Sequence, residues 1–191
     1  MIQVKSKDGL SVRCEIRTFE YNGVFMGVRS ISCTYESPEV INFDIGDYVE
    51  YRGEKFLLDY NPSDSKNAEV RRAGNAIKYS LVFHPESAVE LENCDFCDYV
   101  LYDNLLHYSS SPKFSFIGTA NDLADRIKAN LDRLYPGKWT IEIDSSVITE
   151  DKNIEIENTS CWNAVVLFNK EFGLNFTVIN RKVKVGFSSN I

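Results

Sequence analysis

Alternation of apolar and polar residues with a period of two is the feature that most constrains this chain. Val12, Cys14 and Ile16 alternate with Arg13, Glu15 and Arg17. Ile31, Cys33 and Tyr35 share one face of the next run, which Pro38 breaks. Ile77, Tyr79, Leu81 and Phe83 alternate against Lys78, Ser80 and His84. Successive side chains of a strand point to opposite faces, so each run reads as a strand with one face inward. Asp47–Tyr51 and Glu54–Tyr60 flank Arg52-Gly53, a hairpin signal. Gly23 and Gly27 bracket the apolar Val24-Phe25-Met26, and Tyr99–Leu106 reads as a last strand. Many short strands with turn signals predict a small barrel or sandwich over residues 1–108.

The period changes beyond Ser109-Ser110-Ser111-Pro112, the best linker candidate. Lys113–Ile117 reads as a strand. Thr119 then opens a helix, with Asp122 in the place of the usual capping-box glutamate. Leu123, Ile127, Leu131 and Leu134 recur at helical spacing until Pro136-Gly137 stops them. Trp139–Ile143 and Asn153–Glu157 read as strands. Thr159 or Ser160 caps a second helix carrying Cys161, Ala164, Val165, Phe168 and Phe172, which Gly173 ends. Leu174–Ile179 and Lys182–Phe187 close as a hairpin turning at Asn180-Arg181. Residues 112–191 are thus expected to form a β-α-β-β-α-β-β module, and the whole chain an α+β protein.

Charge and composition exclude several roles. The formal net charge is -7, against a phosphate-backbone binder, so no sequence-specific nucleic acid is expected as a partner. No apolar stretch is long enough for a membrane span, and Met1-Ile2-Gln3-Val4-Lys5 has no apolar signal core. The expected place of synthesis is therefore the cytosol. Five cysteines, an odd number without a signal peptide, argue against a disulfide framework. They read as reduced, structural thiols.

Residues that could carry chemistry are few. Cys94-Asp95-Phe96-Cys97 has the spacing of a redox pair or half a zinc site. It lacks the strand-to-helix context of a redox motif, and its only candidate histidines, His84 and His107, fall in strand segments. Neither histidine adjoins a nucleophile signature. Asp59, Asp64, Glu90 and Glu92 could serve glycosidase chemistry only as a spatial pair, and surface charge is their default reading. No catalytic, metal or cofactor-binding residue is therefore assigned. Arg71-Arg72, in the polar Asn61–Asn75 loop, could grip an acidic partner surface, or could simply be solvated. Trp139 and Trp162 read as core anchors, with Trp162 placed to pack domains together.

Three stretches resemble the N-terminal part of phage tail hub and tail-associated lysin proteins, an architecture shared with the type VI secretion spike. Gly46-Asp47-Tyr48-Val49-Glu50-Tyr51-Arg52-Gly53-Glu54-Lys55-Phe56 resembles the strand, turn and strand of the first hub barrel. Ile77-Lys78-Tyr79-Ser80-Leu81-Val82-Phe83 resembles the strand that follows it. Asn130–Trp139, Cys161-Trp162-Asn163-Ala164-Val165, Glu171-Phe172-Gly173-Leu174 and the closing hairpin resemble the family's second domain.

The resemblance implies a ring-forming component of a phage or prophage tail tip or baseplate hub, located in the virion tail and made in the bacterial cytoplasm. It implies tail tube, distal tail ring and tape measure as partners, and a homotrimer in the full-length protein. Lysin activity in that family lies in later domains, so the chain is expected not to be an enzyme. The other function class left open is a small domain that binds or hydrolyses cell-wall glycans.

Overall fold

The computed structural model describes residues 1–60, 71–73, 76–103 and 105–187. The chain divides into two compact units, Met1–Val89 and Glu90–Ile191. The fold is α+β, with a barrel-like antiparallel sheet followed by a helix-bearing module.

The first unit contains β1 (Ile2–Lys5), β2 (Val12–Ile16), β3 (Phe19–Asn22), β4 (Ser30–Ser37), β5 (Tyr48–Tyr51), β6 (Glu54–Leu57), β7 (Arg71–Ala73) and β8 (Ala76–Pro85). The strands are hydrogen-bonded in the order β2-β1-β5-β6-β8-β4-β3, with β7 also beside β8. The two ends of that order, β2 and β3, are consecutive in sequence and separated only by Arg17 and Thr18. One bent segment therefore pairs with β1 through its first half and with β4 through its second. β8 turns a second corner: residues 77–83 pair with β4, while His84 and Pro85 pair with β6. Strands that pass between sheets in this way nearly close a barrel and leave little free edge.

Alternation fills the barrel. Ile2, Val4, Cys14, Ile16, Ile31 and Cys33 meet Val49, Phe56, Tyr79, Leu81 and Phe83 inside, with Phe43 and Leu58 from flanking segments. Each large apolar side chain so buried contributes about 1.5–3 kcal/mol. The fully buried Asp47 carboxylate accepts from Lys7 N–H at 3.1 Å, Asp44 N–H at 3.0 Å and Arg13 Nε at 3.1 Å. It ties the entry to β5 to the loop after β1. The expected Arg52-Gly53 turn is present, both residues at positive φ (52° and 75°), as a two-residue hairpin of the right twist requires.

A helix, α1 (Glu86–Glu92), follows β8 where the sequence predicts only strand and turn. Its seven residues make too short a run to display helical periodicity. It straddles the division between the units.

The second unit begins with the hairpin β9 (Tyr99–Tyr102) and β10 (Leu105–Tyr108), where a single strand was expected. Then come β11 (Lys113–Gly118), α2 (Ala120–Leu134), β12 (Thr140–Ile143), β13 (Lys152–Glu157), α3 (Cys161–Phe172), β14 (Phe176–Ile179) and β15 (Lys182–Val185). From β11 onward this is the β-α-β-β-α-β-β order that the sequence predicts. β11 pairs antiparallel with β13, and β15 lies between β14, antiparallel, and β12, parallel.

The Thr119–Asp122 capping box is formed, Ser160 caps α3, and Gly173 ends α3 at φ 67°. Leu123, Ile127 and Leu131 of α2 and Ala164, Val165 and Phe168 of α3 are buried where the helices meet. Leu134, expected to extend the apolar stripe of α2, is exposed on its final turn. The Ser109–Pro112 segment, where the sequence places the domain boundary, is held inside the second unit: Ser109 N–H donates to Asp98 O and Asn158 N–H to Pro112 O, each at 2.8 Å.

Candidate interaction surface

The β9–β10 hairpin is built as an arm. Facing residues of an antiparallel pair share a side of the ribbon, so Tyr99, Leu106 and Tyr108 fall on one side. Val100, Tyr102, Leu105 and His107 fall on the other. The base of the first side is anchored on α2. The Tyr108 hydroxyl donates to Ala129 O at 2.7 Å, and the Arg133 and Arg126 guanidiniums lie over the Tyr108 and Tyr99 rings. The second side is different. Val100, Tyr102 and Leu105 are 63%, 65% and 64% exposed, and His107 is exposed with them; on the first side Leu106 is exposed too.

The chain reverses with Asp103 at φ 49°. Exposed apolar residues collected on a two-stranded ribbon are costly to leave in water and mark contact surfaces. Such a ribbon is also marginal by itself. Sequence reading took Tyr99–Leu106 for a single strand of the barrel because the reversal carries no glycine.

The CxxC cysteines lie at the foot of the arm, on the segment that leads into β9. The Cys94 and Cys161 sulfurs are 3.4 Å apart, both residues fully buried, and Cys161 is the first residue of α3. Cys97, the expected partner of Cys94, is half-buried and lies 3.7 Å from Arg133 Nη1. Asn130 of α2, fully buried, recognises both backbone groups of Cys97. Its Oδ1 accepts from Cys97 N–H and its Nδ2 donates to Cys97 O, each at 3.0 Å. Sequence reading missed the role of Asn130, whose one signal is an amide beside Ile127 and Leu131 on an otherwise apolar helix face.

A hydrogen bond from the Cys161 thiol holds the Cys94 thiol below its ordinary range, helped by the Arg133 guanidinium and opposed by burial. The same bond, reinforced by burial, pushes the Cys161 thiol up. Among the described residues no group of three or more metal-ligating side chains is assembled.

The other residues singled out in the sequence are dispersed. His84 Nδ1 meets the Asp59 carboxylate at 3.0 Å, and His107 packs edge-on against Tyr102. Glu90 is clamped by Arg181, Nε and Nη2 each at 2.7 Å, and accepts from Trp139 Nε1 at 3.1 Å. That geometry consumes the carboxylate in structure. Glu92 is exposed, and Asp64 lies outside the described residues. Trp162 packs its edge against Phe176 within the second unit. Arg71 and Arg72 lie on β7, facing Lys78 and Ile77 of β8; their side chains lie outside the described residues. A shallow groove of about 390 Å³ crosses β3, β4 and β8 between Thr18, Glu20, Ser32, Thr34, Ser80 and Val82, with Glu20 its one carboxylate.

No protein-family model and no curated protein matches the chain. Solved structures do share its fold. The prophage tail protein gp18 from Listeria monocytogenes EGD-e is similar over 96% of this chain, at 15% identity and a TM-score of 0.62. A tail protein from Neisseria meningitidis MC58 is similar over 99% of the chain, at 14% identity and a TM-score of 0.59. The prophage MuSo2 43 kDa tail protein from Shewanella oneidensis is similar over 98%, at 14% identity and a TM-score of 0.60. The chain spans about half the length of these proteins, 49%, 51% and 53% respectively.

Proposed function

We propose that the chain is a structural component of a phage or prophage tail, placed at the tail tip or baseplate hub, that builds a ring through protein–protein contacts. The observation that carries this reading is the fold shared with three tail proteins over 96% to 99% of the chain. The partners it points to are the tail tube, the distal tail ring and the tape measure, with a homotrimer in the full-length protein and the virion tail as its location.

In this reading the first unit, Met1–Val89, serves as a tube-like hub domain and the second, Glu90–Ile191, as an α+β hub module. The exposed side of the β9–β10 arm supplies a docking face, and Arg71 and Arg72 a second contact. No catalytic group is needed for such a role.

Light scattering on the full-length protein, together with co-purification against the products of neighbouring tail genes, tests the proposal. A trimeric mass and retention of a tail tube or distal tail ring protein are expected. A monomer that retains neither overturns it.

A further inference from the structure

Cys94 and Cys161 lie 67 positions apart in sequence, yet their backbones are joined. Cys161 N–H donates to Cys94 O at 2.7 Å and Phe96 N–H to Thr159 O at 2.8 Å, on either side of the antiparallel bridge Asp95↔Ser160. The single bond from Cys161 N–H to Cys94 O sets the two residues side by side next to that bridge. Facing residues also project to the same side, and here the two sulfurs already touch at 3.4 Å while remaining free thiols.

The surroundings favour a reactive thiol over a metal ligand. Arg133 places Nη1 at 3.7 Å from Cys97 Sγ and donates from Nη2 to Asp95 O at 2.9 Å. A fixed cation there repels a second one, which works against a metal ion at this thiol. Cys97 is the member of the cluster that solvent reaches.

We propose that Cys94 and Cys161 form a redox-controlled disulfide, loaded through Cys97 by a small-molecule disulfide of the glutathione type, which clamps the foot of the β9–β10 arm to the start of α3. The Cys97 thiol gives its proton to solvent and attacks one sulfur of oxidised glutathione, releasing the other half as a thiolate. Cys94 attacks the Cys97 sulfur and its proton goes to the second glutathione thiolate as that is expelled. Cys161 then attacks Cys94, and its proton passes to the departing Cys97 thiolate. Two protein thiols are oxidised and one glutathione disulfide is reduced to two glutathione molecules. A clamp of this kind would stay open in a reducing cytosol and close on exposure to an oxidising exterior. The inference does not rest on the tail role, and either can fail alone.

The test is to purify the full chain reduced, titrate it with oxidised glutathione, block the remaining thiols, and map linkages by peptide mass spectrometry with fragmentation. The expected product joins Cys94 to Cys161, two hydrogens lighter, with Cys97 recovered free. Closing so long a loop is expected to raise the unfolding temperature by roughly 10 °C. Cys97→Ser is expected to reach the same bond several-fold more slowly. A stable Cys94–Cys97 bond, glutathione retained on Cys97, or no oxidation at all overturns the proposal. An unchanged rate in Cys97→Ser overturns the entry route. Cys161→Ala is expected to abolish the temperature rise; if circular dichroism shows that it does not fold, the wild-type linkage map alone decides.

Discussion

The barrel unit and the second unit solve the same problem with different materials. In the barrel, alternating strands turn one side of nearly every element inward, and the few buried charges, Asp47 and Glu54, are fastened to Arg13 and Arg29. In the second unit, two capped helices share the apolar core with strand residues such as Phe116, Ile154, Ile156, Val183 and Val185, while a loop at Cys94–Cys97 and a ribbon at Tyr99–Tyr108 are attached to it by polar groups. The first unit leaves Leu10, Val24, Phe25, Val40 and Ile45 exposed in the connections between its strands, whereas the second gathers Val100, Tyr102 and Leu105 on one side of a strand pair, next to the segment that carries Cys94 and Cys97. Apolar residues collected on one face, rather than scattered over loops, are where contacts with other molecules are to be sought.

The contrast can be broken most sharply in the barrel core. Phe83→Ala should destabilise the first unit by about 3–5 kcal/mol, because the packed, nearly closed barrel cannot collapse onto the space left behind. Chemical denaturation followed by tyrosine fluorescence measures it, and a loss under 1 kcal/mol would mean that the barrel is not a packed core. In the second unit the corresponding change is polar. Asn130→Ala leaves Cys97 N–H without its acceptor and should cost about 1–3 kcal/mol. Faster hydrogen exchange at Cys97 than at Leu131 should accompany it.

The barrel's thiols give a pH signature. Burial pushes Cys14 up to about 11 and Cys33 up to about 12, whereas an unfolded cysteine ionises near about 8.5. Between those values the unfolded chain has lost protons that the barrel keeps, so barrel stability falls as pH rises from roughly 9 to 11. The contribution is intact below the unfolded value. Cys14→Ala with Cys33→Ala should flatten that fall in a series of alkaline denaturation curves. Smallest is the helix cap: Thr119→Ala should cost about 1 kcal/mol in the second unit, read from its thermal unfolding.

Much of this was legible in the sequence wherever the signal is local. Period-two runs such as Val12–Ile16 and Ile77–Phe83 became strands, and Thr119 with Asp122, Ser160 and Gly173 marked the helix ends. What escaped is non-local or too short. α1 spans two turns, and the reversal at Asp103 uses no glycine. The partner of Cys94 is not its neighbour in the motif but Cys161, brought in by an antiparallel bridge that no spacing rule anticipates. The arm was legible as strand but not as surface, since an apolar run looks the same whether a core or a partner covers it.

If the chain docks as proposed, the exposed side of the β9–β10 arm is one of its contacts. The most direct measurement compares the mass of the wild-type assembly by light scattering, alone and with tail tube or distal tail ring protein, with that of the double variant Val100→Asp, Leu105→Asp. Assembly should be lost while stability changes by no more than about 0.5 kcal/mol, as at a solvent-facing site. Assembly that persists unaltered in the double variant would contradict the account.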